Sequence, residues 1–227
     1  MNLSSFDLVI RQRFWIGVAA LILSLNFASE TRAEVPVPFD NSWREQGFLR
    51  LFTNDYSLRG RQLDVLSDGT VSLLWRPAND AMHGAGSAKW VWRVREGVIP
   101  TDLTAKGNDD RNISVYFVFV DSDRLEALKG RSARRILSED SARALIYVWG
   151  GQHEVGSMLP SPYSPRLRTK VLRSVEPGQF RESVDLENDY RAAFGERPGV
   201  LVGLAVSADS DNTNGRIIAS IGDLVLD

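Results

Sequence analysis

Oxygen-bearing side chains crowd two short stretches of this sequence. Asp209-Ser210-Asp211-Asn212-Thr213-Asn214-Gly215 contains no large apolar side chain, and Asp209, Asp211, Asn212 and Thr213 place four oxygen donors in five positions. Calcium takes about six to eight oxygens from such groups and from backbone carbonyls, so this loop is a candidate calcium site. Its spacing is not that of an EF-hand, and the terminal Glu of such a loop is missing. The same residue types build polar turns in which Asp and Asn bond their own backbone, and that structural reading stands first. The second stretch is Asp109-Asp110-Arg111. Its carboxylates suit a cation or sugar hydroxyls, and its guanidinium suits bidentate capture of a carboxylate. Successive side chains diverge on an extended chain, so Asp109 and Asp110 are not expected to form a dyad. An ion pair of one of them with Arg111 or Arg93 at a sheet end is the structural alternative.

Aromatic residues supply a third candidate. Trp90 and Trp92 alternate on one side of one strand, together with Ala88 and Val94. A pair of indole faces is a platform for the apolar face of a sugar ring; burial of at least one of them in the core is the alternative. Trp149, inside an all-apolar run, is expected to be core. Other chemistries are excluded by what is missing. There is no cysteine, so there is no disulfide framework, thiol nucleophile or thiolate zinc site. His83 and His153 are too far apart in sequence for a zinc-binding His pair on one helix. His83-Gly-Ala-Gly-Ser87 has no Gly-x-Ser-x-Gly elbow to accompany it, and no phosphate-cradling or dinucleotide fingerprint occurs. A net charge of −2 over 227 residues gives no electrostatic footprint for nucleic acid.

The elements that must carry these residues are strands. Apolar runs or alternation mark Phe48–Phe52, 56–60, 62–66, 70–76, 88–94, 113–120, 144–149, 168–175, 199–207 and 216–226. Ser67-Asp68-Gly69 reads as a hairpin turn. Segments 77–87, 96–112 and 152–166 read as loops, and 131–143, basic and then acidic, as exposed. A short helix is expected over 124–129, ended by Gly130. A better one is capped by Asp185, carries Leu186, Tyr190, Ala193 and Phe194 on one face, and stops at Gly195. Strands without a βαβ rhythm predict an all-β fold, an antiparallel two-sheet β-sandwich of jelly-roll type with one or two short helices. Ahead of it, Arg11 and Arg13 precede an apolar run from Phe14 to Ala28, and Thr31-Arg32-Ala33 offers a cleavage site. Residues 1–33 therefore read as a signal peptide and 34–227 as one domain. The expectation is a protein exported to the periplasm of a bacterium, with no transmembrane helix after cleavage.

Several of these strings together resemble one bacterial family. They are Trp90-x-Trp92-x-Val94, Asn108-Asp109-Asp110-Arg111 leading into Val115-Tyr-Phe-Val-Phe119, Ile146-Tyr-Val-Trp149, the Asp189-Tyr190…Phe194-Gly195 helix and the Asp209-Ser-Asp-Asn-Thr213 loop. The family is domain of unknown function 3047, and the resemblance covers nearly all of the chain after residue 33. It implies a single exported β-sandwich similar to carbohydrate-binding modules and galactose-binding-like domains, and it carries no catalytic residue. The chain departs from the family in its short Gly107–Arg111 loop. The leading expectation is a noncatalytic envelope module that binds a glycan or other small ligand through Trp90, Trp92, Asp109, Asp110 and Arg111, with calcium as the candidate ion at Asp209, Asp211, Asn212 and Thr213. The alternatives are a glycan-active enzyme using two of the carboxylates, or an interaction domain of an envelope assembly.

Overall fold

The computed structural model describes residues 33–47 and 53–227. The signal segment, apart from Ala33, and the expected strand Phe48–Phe52 lie outside the described residues. In chain order the strands are β1 (Val35–Pro36), β2 (Arg44–Gly47), β3 (Asp55–Leu58), β4 (Gln62–Asp68), β5 (Val71–Pro77), β6 (Ser87–Glu96), β7 (Arg111–Val120), β8 (Arg143–Trp149), β9 (Met158–Pro160), β10 (Leu167–Arg173), β11 (Gly178–Asp185), β12 (Val200–Asp209) and β13 (Arg216–Leu226). The helices are α1 (Leu125–Leu128), α2 (Ala133–Leu137) and α3 (Leu186–Phe194). Among the described residues no helix is long and apolar enough to cross a membrane.

Two sheets form a β-sandwich. One is ordered β11-β6-β13-β4-β3, with β1 added along β13; the other is ordered β2-β5-β12-β7-β8-β10-β9. The alternation of β7 and β8 explains why both read as apolar throughout. Ile113, Val115, Phe117, Leu145, Tyr147 and Trp149 fill the space between the sheets. Val118, Val120, Ala144, Ile146 and Val148 point the other way and are covered too. The cover over the outer face includes α1, α2 and Leu103 of the segment between β6 and β7.

Trp90 and Trp92 are both 0 % exposed. Their rings meet edge to face at 5.4 Å, Trp90 touches Tyr147 at 5.8 Å, and Trp92 touches Trp149 at 5.5 Å. The platform reading of this pair is therefore corrected: β6 turns the alternating face of Ala88, Trp90, Trp92 and Val94 inward, where each large ring contributes roughly 2–3 kcal/mol of burial. The Trp92 indole N–H donates to Glu182 Oε1 of β11 at 2.8 Å, and Arg173 of β10 holds the same carboxylate through Nε and Nη2.

Four other expectations change. First, Gly69 has the positive φ expected of it, but β4 and β5 are not a hairpin, since β4 pairs with β3 and β13 and β5 with β2 and β12. The turn hands the chain from one sheet to the other. Second, β8 and β10 are parallel. The segment 150–166 between them is long enough for the crossover that parallel neighbours need, and it contains β9. Third, α2 lies in the stretch read as exposed. Ser132 caps it by accepting from the Arg135 N–H, and Ala133 and Ile136, three apart, bury one face. Fourth, β11 was not expected as a strand; five of its eight side chains are exposed, so it has no apolar rhythm. The helix α3 is as expected, with the Asp185 carboxylate accepting from the Asn188 N–H and Gly195 ending it at φ 78°.

Candidate functional site

Four connections cross between the sheets at one end of the sandwich: 69–70 from β4 to β5, 97–110 from β6 to β7, 174–177 from β10 to β11, and 210–215 from β12 to β13. The first and last are tied side by side. Gly69 N–H donates to Gly215 O at 2.9 Å, Ser210 N–H donates to Thr70 O at 3.1 Å, and the hydroxyls of Ser67 and Ser210 are 2.7 Å apart. The two acidic stretches of the sequence meet here.

Asp110, wholly buried, is the staple between them. Its carboxylate accepts from Asn212 N–H at 3.2 Å, Thr213 N–H at 2.7 Å and the Thr213 hydroxyl at 2.6 Å. Its carbonyl accepts from the Thr101 hydroxyl at 2.5 Å. Asp109 faces away, as expected for neighbours on an extended chain. Its carboxylate accepts from Gly107 N–H at 3.2 Å and from the Tyr163 hydroxyl at 2.8 Å.

Arg111, the first residue of β7, has every arm of its guanidinium engaged. Nη1 reaches Asp109 O at 2.9 Å, Asp209 Oδ2 at 3.1 Å and Asp109 Oδ2 at 3.4 Å; Nη2 donates to the Tyr116 hydroxyl at 2.9 Å, and Nε reaches Ser114 Oγ at 3.4 Å. The expected pair of Asp109 with Arg111 is present, and Asp209 joins it. The fork is used inside the protein, so a ligand carboxylate does not find it free. Burial works against the charge on Arg111, but Tyr116, Asp209 and Asp109 outweigh it and hold the guanidinium protonated. Asp209 is 7 % exposed, and its Oδ1 is sealed from solvent with no partner in the protein. Burial, reinforced by Asp110, Asp211 and Asp109, pushes its carboxyl up to about 7 against the pull of Arg111. Asp110, Asp209 and Asp211 each bring one carboxylate oxygen within 4.8 Å of the others. Of the four residues read as a calcium loop, Asp209 and Asp211 belong to that cluster, whereas Asn212 and Thr213 turn their N–H groups to Asp110.

Beside this cluster the outer face of the seven-stranded sheet holds a cleft of about 440 Å³. Leu73 and Trp75 of β5, Val118 of β7, Ile146 of β8 and Leu167 of β10 form its apolar side. Asp109, Arg111, Asp209, Asp211 and Asn212 form a polar end, and Tyr116, Tyr163 and Lys106 also line it. Trp75 lies against Gly203 of β12, where a Cβ would collide with its ring. Tyr163 is 55 % exposed, under the Lys106 ammonium at 5.6 Å. Of the residues singled out from sequence for ligand binding, Asp109 and Arg111 line this cleft and Asp110 braces it from behind; Trp90 and Trp92 do not reach it. Trp75, Tyr116 and Tyr163 were not singled out. The alternation of β7, which sets Ser114 and Tyr116 opposite Val115 and Phe117, was a signal for Tyr116. Tyr163 sits in a proline-rich loop that has no periodicity to read.

The model of the family described as "Protein of unknown function (DUF3047)" matches residues 41–225. No curated protein matches in sequence. Among solved structures the chain is similar to the xyloglucanase domain of NopAA, a type three effector from Sinorhizobium fredii in complex with cellobiose. That likeness has a TM-score of 0.46 and 9 % identity, covering 86 % of this chain and 98 % of that one. It is similar also to the K3 cleaved adhesin domain of Lys-gingipain from Porphyromonas gingivalis w83, with a TM-score of 0.41 and 13 % identity over 86 % and 99 % of the two chains. A family 29 carbohydrate-binding module from Piromyces equi has a TM-score of 0.33 and 9 % identity over 86 % and 89 %.

Proposed function

The chain belongs to the DUF3047 family of proteins of unknown function, and we propose that its outer-face cleft binds a glycan or a similarly hydroxyl-rich small ligand. The two-sided lining of the cleft carries this reading. Trp75, Leu73, Val118 and Ile146 stand on one side, and Asp109, Asp211 and Asn212 at one end, with phenol hydroxyls at Tyr116 and Tyr163. A sugar ring is divided in the same way: its CH face packs on apolar and aromatic surface while its hydroxyls donate to carboxylates and accept from amides. On the strength of Arg11, Arg13 and the apolar run after them, we place this binding outside the cytoplasm, in the periplasm of a bacterium.

The test is a soluble-glycan array followed by calorimetry. Tyr163→Ala removes an exposed ring and spares the core, and it is expected to weaken affinity roughly two- to tenfold. No binding by the native chain to any glycan, or unchanged affinity in the variant, counts against the reading. Release of new reducing ends in the same incubations would replace it with carboxylate-catalysed glycan cleavage.

We further propose that a calcium ion, where one binds, takes Asp110, Asp209 and Asp211, with the unpartnered Asp209 Oδ1 as the observation in its favour. A hard cation fits this all-oxygen set. Thermal unfolding in calcium at about a hundredfold excess over Kd is expected about 5–10 °C above that in chelator, and Asp211→Asn is expected to remove most of that gap. Identical curves with calcium and with chelator would leave the cluster a metal-free turn.

A further inference from the structure

A second and larger cleft lies at the far end of β5, lined by the start of the connection from β5 to β6 and by α1 and α2. Its volume is about 760 Å³, and Arg44, Arg76, Lys129, His83, Asn79 and Asp80 are among its lining. Arg76 is 8 % exposed, and no carboxylate among the described residues lies within 4.0 Å of it. Its hydrogen bond among the described residues runs from Nη1 to Pro38 O at 3.1 Å. Among those residues Nε and Nη2 have no acceptor, and neither is sealed away without a partner.

Most of the Arg76 side chain is buried, and the part of its charge taken out of water is costly unless a well-placed opposite charge offsets it. The carboxylates nearby supply one only in part. Asp40 Oδ1 accepts from the N–H and hydroxyl of Ser42 at 2.9 and 2.5 Å, and its charge acts on Arg76 without a contact between them. Asp80 is largely exposed and stands 3.8 Å from Lys129 and 3.9 Å from His83. Burial accordingly draws the Arg76 guanidinium below its ordinary value, with only the field of Asp40 opposing it. Arg44, Arg76 and Lys129 against Asp80 leave the lining cationic. Most of the remaining wall, Leu125, Leu128, Ile136 and Val202, is apolar and strengthens any charge pairing inside the cleft.

We infer that this cleft is an oxyanion site in which Arg76, flanked by Arg44 and Lys129, receives a carboxylate, sulfate or phosphate group of a small ligand. The planar fork of arginine suits all three anions, which present two oxygens to two N–H groups. The site is separate from the glycan cleft and does not depend on it.

The experiment is thermal unfolding of the native chain titrated with sodium sulfate, sodium phosphate and sodium galacturonate, each against sodium chloride at equal ionic strength. A saturable rise in Tm with at least one of the three is expected. Preference for galacturonate over the inorganic ions would assign the anion to an acidic sugar; the reverse would assign it to free sulfate or phosphate. Arg76→Met is expected to weaken the apparent affinity at least about tenfold, the loss of a charge-assisted hydrogen-bonding partner. Should that variant fail to fold, Lys129→Ala, at a mostly exposed side chain, is expected to weaken it about two- to fivefold. Arg61→Ala, paired with Asp223 on the other sheet, is expected to leave it unchanged. No saturable rise with any anion overturns the inference, as does an equal loss in all three variants or full retention in Arg76→Met and Lys129→Ala.

Discussion

Arg111 is the residue on which the acidic end of the sandwich depends. Its Nη1 lies between Asp109 and Asp209, and both of those carboxylates are buried. Arg111→Met keeps most of the volume and removes the guanidinium paired with both of them. Breaking a buried pair from one side costs about 3–5 kcal/mol, since the abandoned carboxylates stay unpaired or must take up a proton. Arg111→Met is therefore expected to lose that much in urea unfolding at neutral pH. Adding Asp209→Asn is expected to restore about 1–2 kcal/mol of the loss, because the neutral amide puts no charge where Oδ1 has no partner. Strict additivity of the two substitutions would mean that Arg111 and Asp209 are neighbours without being an energetic pair.

At the scale of elements, β11 shows how a strand with little apolar face is held. Only Val184 and Glu182 on it are buried, and Glu182 ties it to both sheets. It takes the Trp92 indole N–H from β6 and both arms of Arg173 from β10. Glu182→Ala is expected to cost about 2–3 kcal/mol, discounted for a partly exposed Arg173, and Glu182→Gln about half of that, because the amide oxygen still accepts from Trp92. Equal losses in the two variants, measured by urea unfolding, would show that the ion pair contributes nothing beyond the indole bond. This dependence on one polar side chain also explains why β11 was not legible in the sequence: its register rests on Glu182 opposite Trp90, a pairing that no periodicity announces. Strand β6 was legible because its apolar residues meet the core at every second position, and β7, β8 and β12 because both of their faces are covered and their runs are apolar almost throughout. The helix α3 was legible because Asp185 and Gly195 mark its ends. The Trp90 and Trp92 pair was ambiguous for a physical reason. Alternation says that two side chains share a face, and only the packing of the opposite sheet says which face is inside. The turn at Gly69 misled in the same way, since a positive φ is equally suited to a hairpin and to a crossing between sheets.

On the scale of the whole molecule, the two acidic stretches, Asp109-Asp110-Arg111 and the loop from Asp209, meet because the connections that carry them cross between the sheets at the same end of the sandwich. Asp110 is the hinge of that arrangement: it sits on the connection entering β7 and accepts three hydrogen bonds from the connection leaving β12. Nothing in the core between the sheets requires those bonds, so their loss is expected to act locally. In Asp110→Ala, amide hydrogen exchange is expected to quicken first at 210–215 and 97–109, while β7, β8 and β12 keep their protection; the global loss is expected near 2–3 kcal/mol, from Asn212 and Thr213 donors left without their acceptor. The cleft shares Asp109, Asp211 and Asn212 with these segments, so glycan affinity is expected to fall further than the global stability accounts for. Exchange that quickens evenly across both sheets would instead mean that Asp110 supports the fold as a whole and that the acidic end has no mobility of its own to lose.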